Sequence, residues 1–364
     1  MLISLAEEMN PTRRNTMEDA HVIHAPQTWA APSANATFIG VYDGHGGRLI
    51  ADYLEDHLAR NVAQEWNFGV GESGGGDDVG VGRKRRRSQS PGGNDDDGGS
   101  NSNSSDEDSE DGEIDEGEIV LNSLERAFLL TDLQSKMAGL TTSGATVVCT
   151  IIIPKFDNNG KCTDIHIHAA NAGDARAVLS STTARSASSS SNATNKLVNH
   201  DDTINSTAVR ITQDHKSTDP SEIQRIKAAG GTMIRDRVMG ILAVARSLGD
   251  HGLKEFVIAK PFLSSTVVKI VDDDMRNDGE KSNGQAVSST VQSATTHPYT
   301  DGEFLIVACD GLWDVMQDDE AVDAVRAHVE ENGMGSRTEV AAILVEGAMK
   351  RGSTDNITVI VYWL

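Results

Sequence analysis

The chain has 364 residues, a formal net charge of −23, 38% hydrophobic residues and only three cysteines. Nucleic-acid backbone binding needs clustered Lys/Arg, a bilayer span needs roughly 18 or more consecutive apolar residues, and a disulfide framework needs paired cysteines. The net negative charge argues against the first, and the sequence has neither such an apolar run nor paired cysteines, so the expectation is no membrane, no direct nucleic-acid partner and a reducing, cytoplasmic or nuclear, setting. In chain order, an apolar strand at 38–43 ends in Asp43, and a helix follows with Ile50, Leu54, Leu58 and Val62 on one face. A second helix covers about 119–138 with Leu121, Leu124, Phe128 and Leu129 inward, followed by β-branched strands at 145–153, 164–170 and 175–179. Asp219-Pro-Ser-Glu222 reads as an N-cap, a first-turn proline and a capping-box glutamate, and Gly230-Gly231 closes that helix. A buried strand at 304–309 runs into Asp310. Helices follow near 318–331 and 336–350, the second with Ser336 and Glu339 as a capping box, and a strand at 357–363 ends the sequence. Grouped strands and helices predict an α+β fold with antiparallel sheets.

Three stretches lack the apolar residues for a core: 69–118, 181–208 and 272–300. Between 72 and 118 there are 15 Asp/Glu against five basic residues, all five in Arg83-Lys84-Arg85-Arg86-Arg87. Setting these stretches aside as inserts leaves one domain, 1–364, with a sizeable core. The basic run reads as an import signal or as a partner for the insert's own acids, and the acids read as a surface for basic partners.

Four aspartates carry the chemical signal. Asp43 (Val-Tyr-Asp-Gly-His), Asp174 (Ala-Gly-Asp-Ala-Arg), Asp310 (Ala-Cys-Asp-Gly-Leu-Trp) and Asp355 (Gly-Ser-Thr-Asp-Asn) sit at strand ends or in glycine turns. One Asp-Gly alone is usually a turn. Unpaired carboxylates beside apolar strands are costly without an offsetting positive charge, and a donor set without His or Cys suits a hard cation, Mg²⁺ or Mn²⁺. Glu18, Asp19 and Arg14 read equally as surface charges, and His45 as a turn histidine.

Ordered blocks decide between these readings: Arg14-Asn-Thr-Met-Glu18-Asp19, Asp43-Gly-His-Gly-Gly, Thr142-Ser-Gly-Ala-Thr, Gly173-Asp-Ala-Arg, Leu242-Ala-Val-Ala-Arg-Ser-Leu-Gly-Asp250, Asp310-Gly-Leu-Trp-Asp314 and Ser353-Thr-Asp355-Asn356. Together they resemble the PP2C (PPM) metal-dependent serine/threonine protein phosphatases over nearly the whole chain outside the inserts. The resemblance implies a central two-sheet antiparallel β-sandwich flanked by helices, with metals in a cleft at one end. It implies Mg²⁺ or Mn²⁺, two ions per subunit, held by Asp43, the Gly44 carbonyl, Asp310 and Asp355. Glu18 would act through water, and Asp174 would serve a weaker third ion. Arg14 would bind the substrate phosphate and His45 would protonate the leaving oxygen. A metal-activated water would attack phosphoserine or phosphothreonine in phosphorylated proteins, without a covalent intermediate. Met239 stands where the family more often has Asn. Two rival classes are a phosphopeptide-binding module without turnover and an acidic, chaperone-like interaction protein; the second leaves the ordered blocks unexplained. A monomer is the default expectation.

Overall fold

The computed structural model describes residues 1–73, 115–183, 205–270, 293–298 and 302–364. Strands β1 (Leu2–Glu8), β2 (Ala20–His24) and β3 (Thr37–His45) precede helices α1 (Leu49–Ser73) and α2 (Glu116–Met137). Next come β4 (Gly144–Phe156), β5 (Cys162–Ala172), β6 (Arg176–Thr183) and β7 (Asn205–Arg210). Helix α3 (Pro220–Ala228), the short hairpin β8 (Met233–Ile234) and β9 (Arg237–Val238), and β10 (Leu248–Gly249) follow. The chain continues through β11 (Phe262–Lys269), β12 (Ser293–Pro298), β13 (Phe304–Ala308), the one-turn α4 (Asp310–Trp313), α5 (Asp318–Asn332), α6 (Val340–Lys350) and β14 (Ile357–Trp363).

The strands form two main sheets, ordered β1-β14-β13-β6-β7 and β12-β11-β5-β4-β3-β2, with β10 paired to β4. Pairing is antiparallel throughout both sheets except between β11 and β12, which run parallel. Both faces of the central strands are covered, which is why they read as unbroken apolar runs. In β3, Ile39 and Val41 enter the core between the sheets with Val148, Ile167, Leu179, Val307 and Ile360. Phe38 and Tyr42, on the opposite face, pack with Leu54, Leu58, Leu124 and Phe128 of α1 and α2. On the other sheet, Ile306, Val359 and Val361 meet Val322, Val325 and Leu344 of α5 and α6. The order of layers is helices, sheet, sheet, helices.

Several local expectations need correction. Structure extends into all three presumed inserts: 69–73 belong to α1, 116–118 to α2, 181–183 to β6, 205–208 to β7 and 293–298 to β12. The basic run at 83–87 and most of the acidic stretch lie outside the described residues. Leu129 is exposed, because the inward face of α2 runs through Leu121, Leu124 and Phe128. Asp219 does cap α3, accepting from the Ser221 and Glu222 backbone N–H groups. Glu222, however, turns inward to pair with Arg225 and Arg246 at 2.7 and 2.6 Å. Ser336 lies in a 3₁₀ turn and bonds the Gly333 carbonyl, so α6 starts at Val340 without that capping box. The capping glutamate belongs to α5, where Glu320 accepts from the Gln317 backbone N–H at 2.9 Å. Among the described residues no helix is long and apolar enough to cross a membrane.

Candidate active site

Strand register gathers the acids. Asp43 faces Thr146 across β3 and β4, and Val147 faces Ala172 at the end of β5. In the other sheet Ala308 lies opposite both Arg176 and Val359, while Glu8 lies opposite Ile357. The ends of β3, β5 and β13 and the starts of β4, β6 and β14 thus share one end of the sandwich. One carboxylate oxygen from each of Asp43, Asp174 and Asp310 converges there, all within 4.8 Å of one another.

Three carboxylates at that spacing cannot all stay ionised without a positive neighbour. Burial, followed by the charges of Asp310, Asp19, Asp174 and Asp355, pushes the Asp43 carboxyl well above its ordinary range. Burial and then Asp174, Asp314, Asp355 and Asp19 do the same to Asp310. Burial raises Asp174 to about 6, although the Lys216 ammonium, 3.8 Å from its Oδ2, pulls the other way. The buried Oδ1 of Asp174 has no hydrogen-bond partner. An orphaned oxygen within a cluster built only of carboxylates fits a hard divalent cation, which would neutralise the repulsion and fill the missing coordination.

Glu18 is brought in by the backbone. A Cβ on Gly44 would stand 2.3 Å from the Glu18 carbonyl oxygen, so only glycine permits this approach. Asn356 completes the clamp: its Oδ1 accepts from the Glu18 N–H at 2.8 Å, and its Nδ2 donates to the Met9 and Thr16 carbonyls at 2.8 and 3.0 Å. That role was not assigned from sequence, although Asn356 follows Asp355 directly. Asp355 stands beside the converging trio. Its Oδ2 pairs with Arg14, which also donates from Nε to the Thr354 carbonyl at 3.3 Å. Arg14 remains 43% exposed along its side chain, open to an arriving anion. His45 ends β3, and its Nε2 lies 2.7 Å from Asp250 Oδ2.

Asp19 is no surface charge. It is 1% exposed, accepts from the Thr358 hydroxyl at 2.7 Å through Oδ2, and its Oδ1 has no partner. Burial raises its carboxyl from 3.8 to about 6. The folded state thus holds this proton to higher pH than the unfolded chain does. Stability is unaffected below about pH 4, declines up to about 6, and stays reduced above. At about 1.4 kcal/mol per pKa unit, the cost at pH 7 is about 3 kcal/mol. Asp19→Asn retains an acceptor for Thr358 and removes that cost. Urea unfolding in chelator should show a gain of this size at pH 7 and none at pH 4.

Met239 follows β9 at φ 52, a left-handed conformation in which Asn is tolerated better than Met. Its sulfur accepts from the Thr232 N–H at 3.4 Å, and the Met239 N–H bonds the Thr232 carbonyl, so the loop closes around the thioether.

Comparison with known proteins agrees with this architecture. The family model described as protein phosphatase 2C matches residues 93–357. The chain is 29% identical over 360 residues to protein phosphatase 2C homolog 1 of Schizosaccharomyces pombe, covering 99% of this chain and 72% of that protein. It is 28% identical over 353 residues to human protein phosphatase 1B, covering 95% of this chain and 54% of that one, so it spans about half the human protein's length. Serine-threonine phosphatase 2C from Toxoplasma gondii shares the fold with a TM-score of 0.60 at 18% identity, over 100% of this chain and 94% of that one. With the family match running over most of its length, the chain belongs to the protein phosphatase 2C family.

Proposed function

We propose that this chain hydrolyses phosphoserine and phosphothreonine in proteins with Mg²⁺ or Mn²⁺, through water at a binuclear centre and without a covalent intermediate. The observation that carries this reading is the meeting of Asp43, Asp174 and Asp310 oxygens within 4.8 Å. Bound there, hard divalent ions supply the Lewis acidity that activates water and offsets charge on the phosphoryl group. Asp43, the Gly44 carbonyl, Asp310 and Asp355 would hold the pair, Glu18 would order water beside it, and Asp174 would hold a weaker third ion. Arg14 offers its planar fork to two phosphate oxygens, for which its exposure and its anchoring on Asp355 and Thr354 suit it. His45 hands a proton to the departing serine or threonine oxygen.

The thiols favour a route without a covalent intermediate. Burial pushes Cys149 and Cys309 far up, and burial followed by Asp164 raises Cys162, so none of the three supplies a ready thiolate. The test is phosphate release from a phosphothreonine peptide in Mn²⁺ or Mg²⁺. Chelation should abolish release, and added metal should restore it. Binding of the peptide without turnover in either metal would instead favour a phosphopeptide-binding module.

A further inference from the structure

The segment after the β8–β9 hairpin contributes one acid that the converging carboxylates do not include. Asp250 adopts a left-handed conformation at φ 46, directly after β10. Its backbone N–H donates to the Ser143 carbonyl at 3.0 Å, and β10 pairs Leu248 with Ala145 at the head of β4. This pairing carries Asp250 to His45, 205 positions away in sequence, with 2.7 Å between Oδ2 and Nε2. The Ser247 hydroxyl donates to the same Oδ2 at 2.5 Å. The neighbourhood is fixed in turn: Asp132 Oδ1 accepts from the Gly249 N–H at 2.8 Å and lies 3.0 Å from Lys254 Nζ, which also bonds the Ser247 carbonyl at 3.0 Å. The contact requires Gly144, since a Cβ there would stand 2.1 Å from Asp250 Oδ2 and 2.5 Å from His45 Nε2.

We infer that Asp250 is a positioning residue for His45, fixing the hydrogen on Nε2 and leaving Nδ1 as the nitrogen that exchanges a proton with the leaving group. The inference rests on the phosphatase reading above. A carboxylate is acceptor only, so the ring nitrogen facing it must be the donor. Burial pushes the Asp250 carboxyl up, but hydrogen bonds from His45 and Ser247 and the Lys254 charge outweigh it and keep the group ionised. Its side chain is 11% exposed against 28% for the imidazole, so the ring keeps exposed surface while its anchor is enclosed. In the reaction, the water oxygen forms the new bond to phosphorus and releases a proton to solvent. The serine or threonine oxygen leaves with the P–O electron pair and takes the Nδ1 proton. The ring keeps its Nε2 hydrogen on Asp250 and regains the other from solvent.

A positioning role depends on the leaving group; a structural role does not. An alkoxide needs a proton to depart, whereas p-nitrophenolate leaves without one. Asp250→Asn should therefore lower kcat on a phosphothreonine peptide by about tenfold to 10²-fold, within the range of general acid catalysis, and alter p-nitrophenyl phosphate turnover by less than about twofold. His45→Gln should likewise lose more on the peptide than on p-nitrophenyl phosphate, and the double variant should be no slower than His45→Gln alone, as expected of residues acting as a unit. Equal losses on both substrates, or no loss on the peptide, would overturn the inference. A measurement independent of turnover and of any variant is the ¹⁵N spectrum of the wild-type His45 ring. Hydrogen on Nε2 supports the inference, and a neutral ring with hydrogen only on Nδ1 overturns it. Wild-type protein with no metal-dependent turnover of either substrate would count against the phosphatase reading, while the ring spectrum would still decide the role of Asp250.

Discussion

Asp310→Asn is expected to lower phosphothreonine-peptide turnover by about 10³-fold in saturating Mn²⁺, and at the same time to stabilise the chelated protein at neutral pH. The substitution keeps the side chain's size and removes its charge. A cation clamp on a transferring phosphoryl group is worth several kcal/mol, and each 1.36 kcal/mol is about a factor of ten in rate. The gain in stability has the opposite origin. Burial, with Asp174 the first of the neighbouring acids, raises the folded Asp310 carboxyl well above 3.8. As pH climbs from about 4, the unfolded chain releases this proton first, so stability falls until the folded carboxyl ionises in turn. Asparagine removes that fall and gives no advantage at pH 4.

Two measurements check both halves: calorimetric titration with Mn²⁺, where affinity should drop, and melting temperature against pH in chelator, where the wild type should decline more steeply than the variant. A variant that is inactive yet more stable cannot owe its inactivity to lost packing. Wild-type turnover by Asp310→Asn in Mn²⁺ buffer would remove Asp310 from the centre and the proposed chemistry with it.

Much of this site was legible in the sequence because of where acids follow apolar runs. Asp43 lies two residues before the end of β3 and Asp310 two residues after the end of β13, each followed by glycine, so the buried apolar runs located the strands and the acids marked the neighbourhood of their ends. Other features depend on contacts across long separations. β1 and β2 lie ahead of the first unbroken apolar run, and β1 has exposed or half-buried residues at most positions, so neither announced itself. Glu222 sits at capping-box spacing from Asp219, but Arg246, 24 residues on, competes for its carboxylate and wins. Asp250 stood in plain view within an ordered block, yet its role follows from the pairing of β10 with β4. Asp19 read as a surface charge because its hydrogen-bond partner, Thr358, is 339 positions away in the chain.

Gly311→Ala is expected to cost more than about 3 kcal/mol of stability and to weaken Mn²⁺ binding even in the fraction that folds. A Cβ at Gly311 would stand 1.9 Å from the Asn356 carbonyl oxygen and 3.0 Å from its carbon. Both are backbone atoms at the head of β14, so no flexible side chain can swing away, and ordinary overpacking, about 1–3 kcal/mol, is a lower bound. Relief requires α4 to lift from β14. That motion separates Asp310 from Asp355 and breaks the 2.8 Å bond from the Ser353 hydroxyl to the Gly311 carbonyl. It also disturbs Asn356, which holds the Glu18 N–H and the carbonyls of Met9 and Thr16. One methyl group therefore reaches both halves of the carboxylate centre through the backbone. Gly335→Ala is the matched control, since nothing lies within 4 Å of its added Cβ, and it should stay within about 0.5 kcal/mol of wild type. Urea unfolding and Mn²⁺ titration of the two variants separate local crowding from a general intolerance of alanine. A Gly311→Ala protein as stable and as tightly metal-binding as the control would mean that α4 and β14 are not held in the contact described.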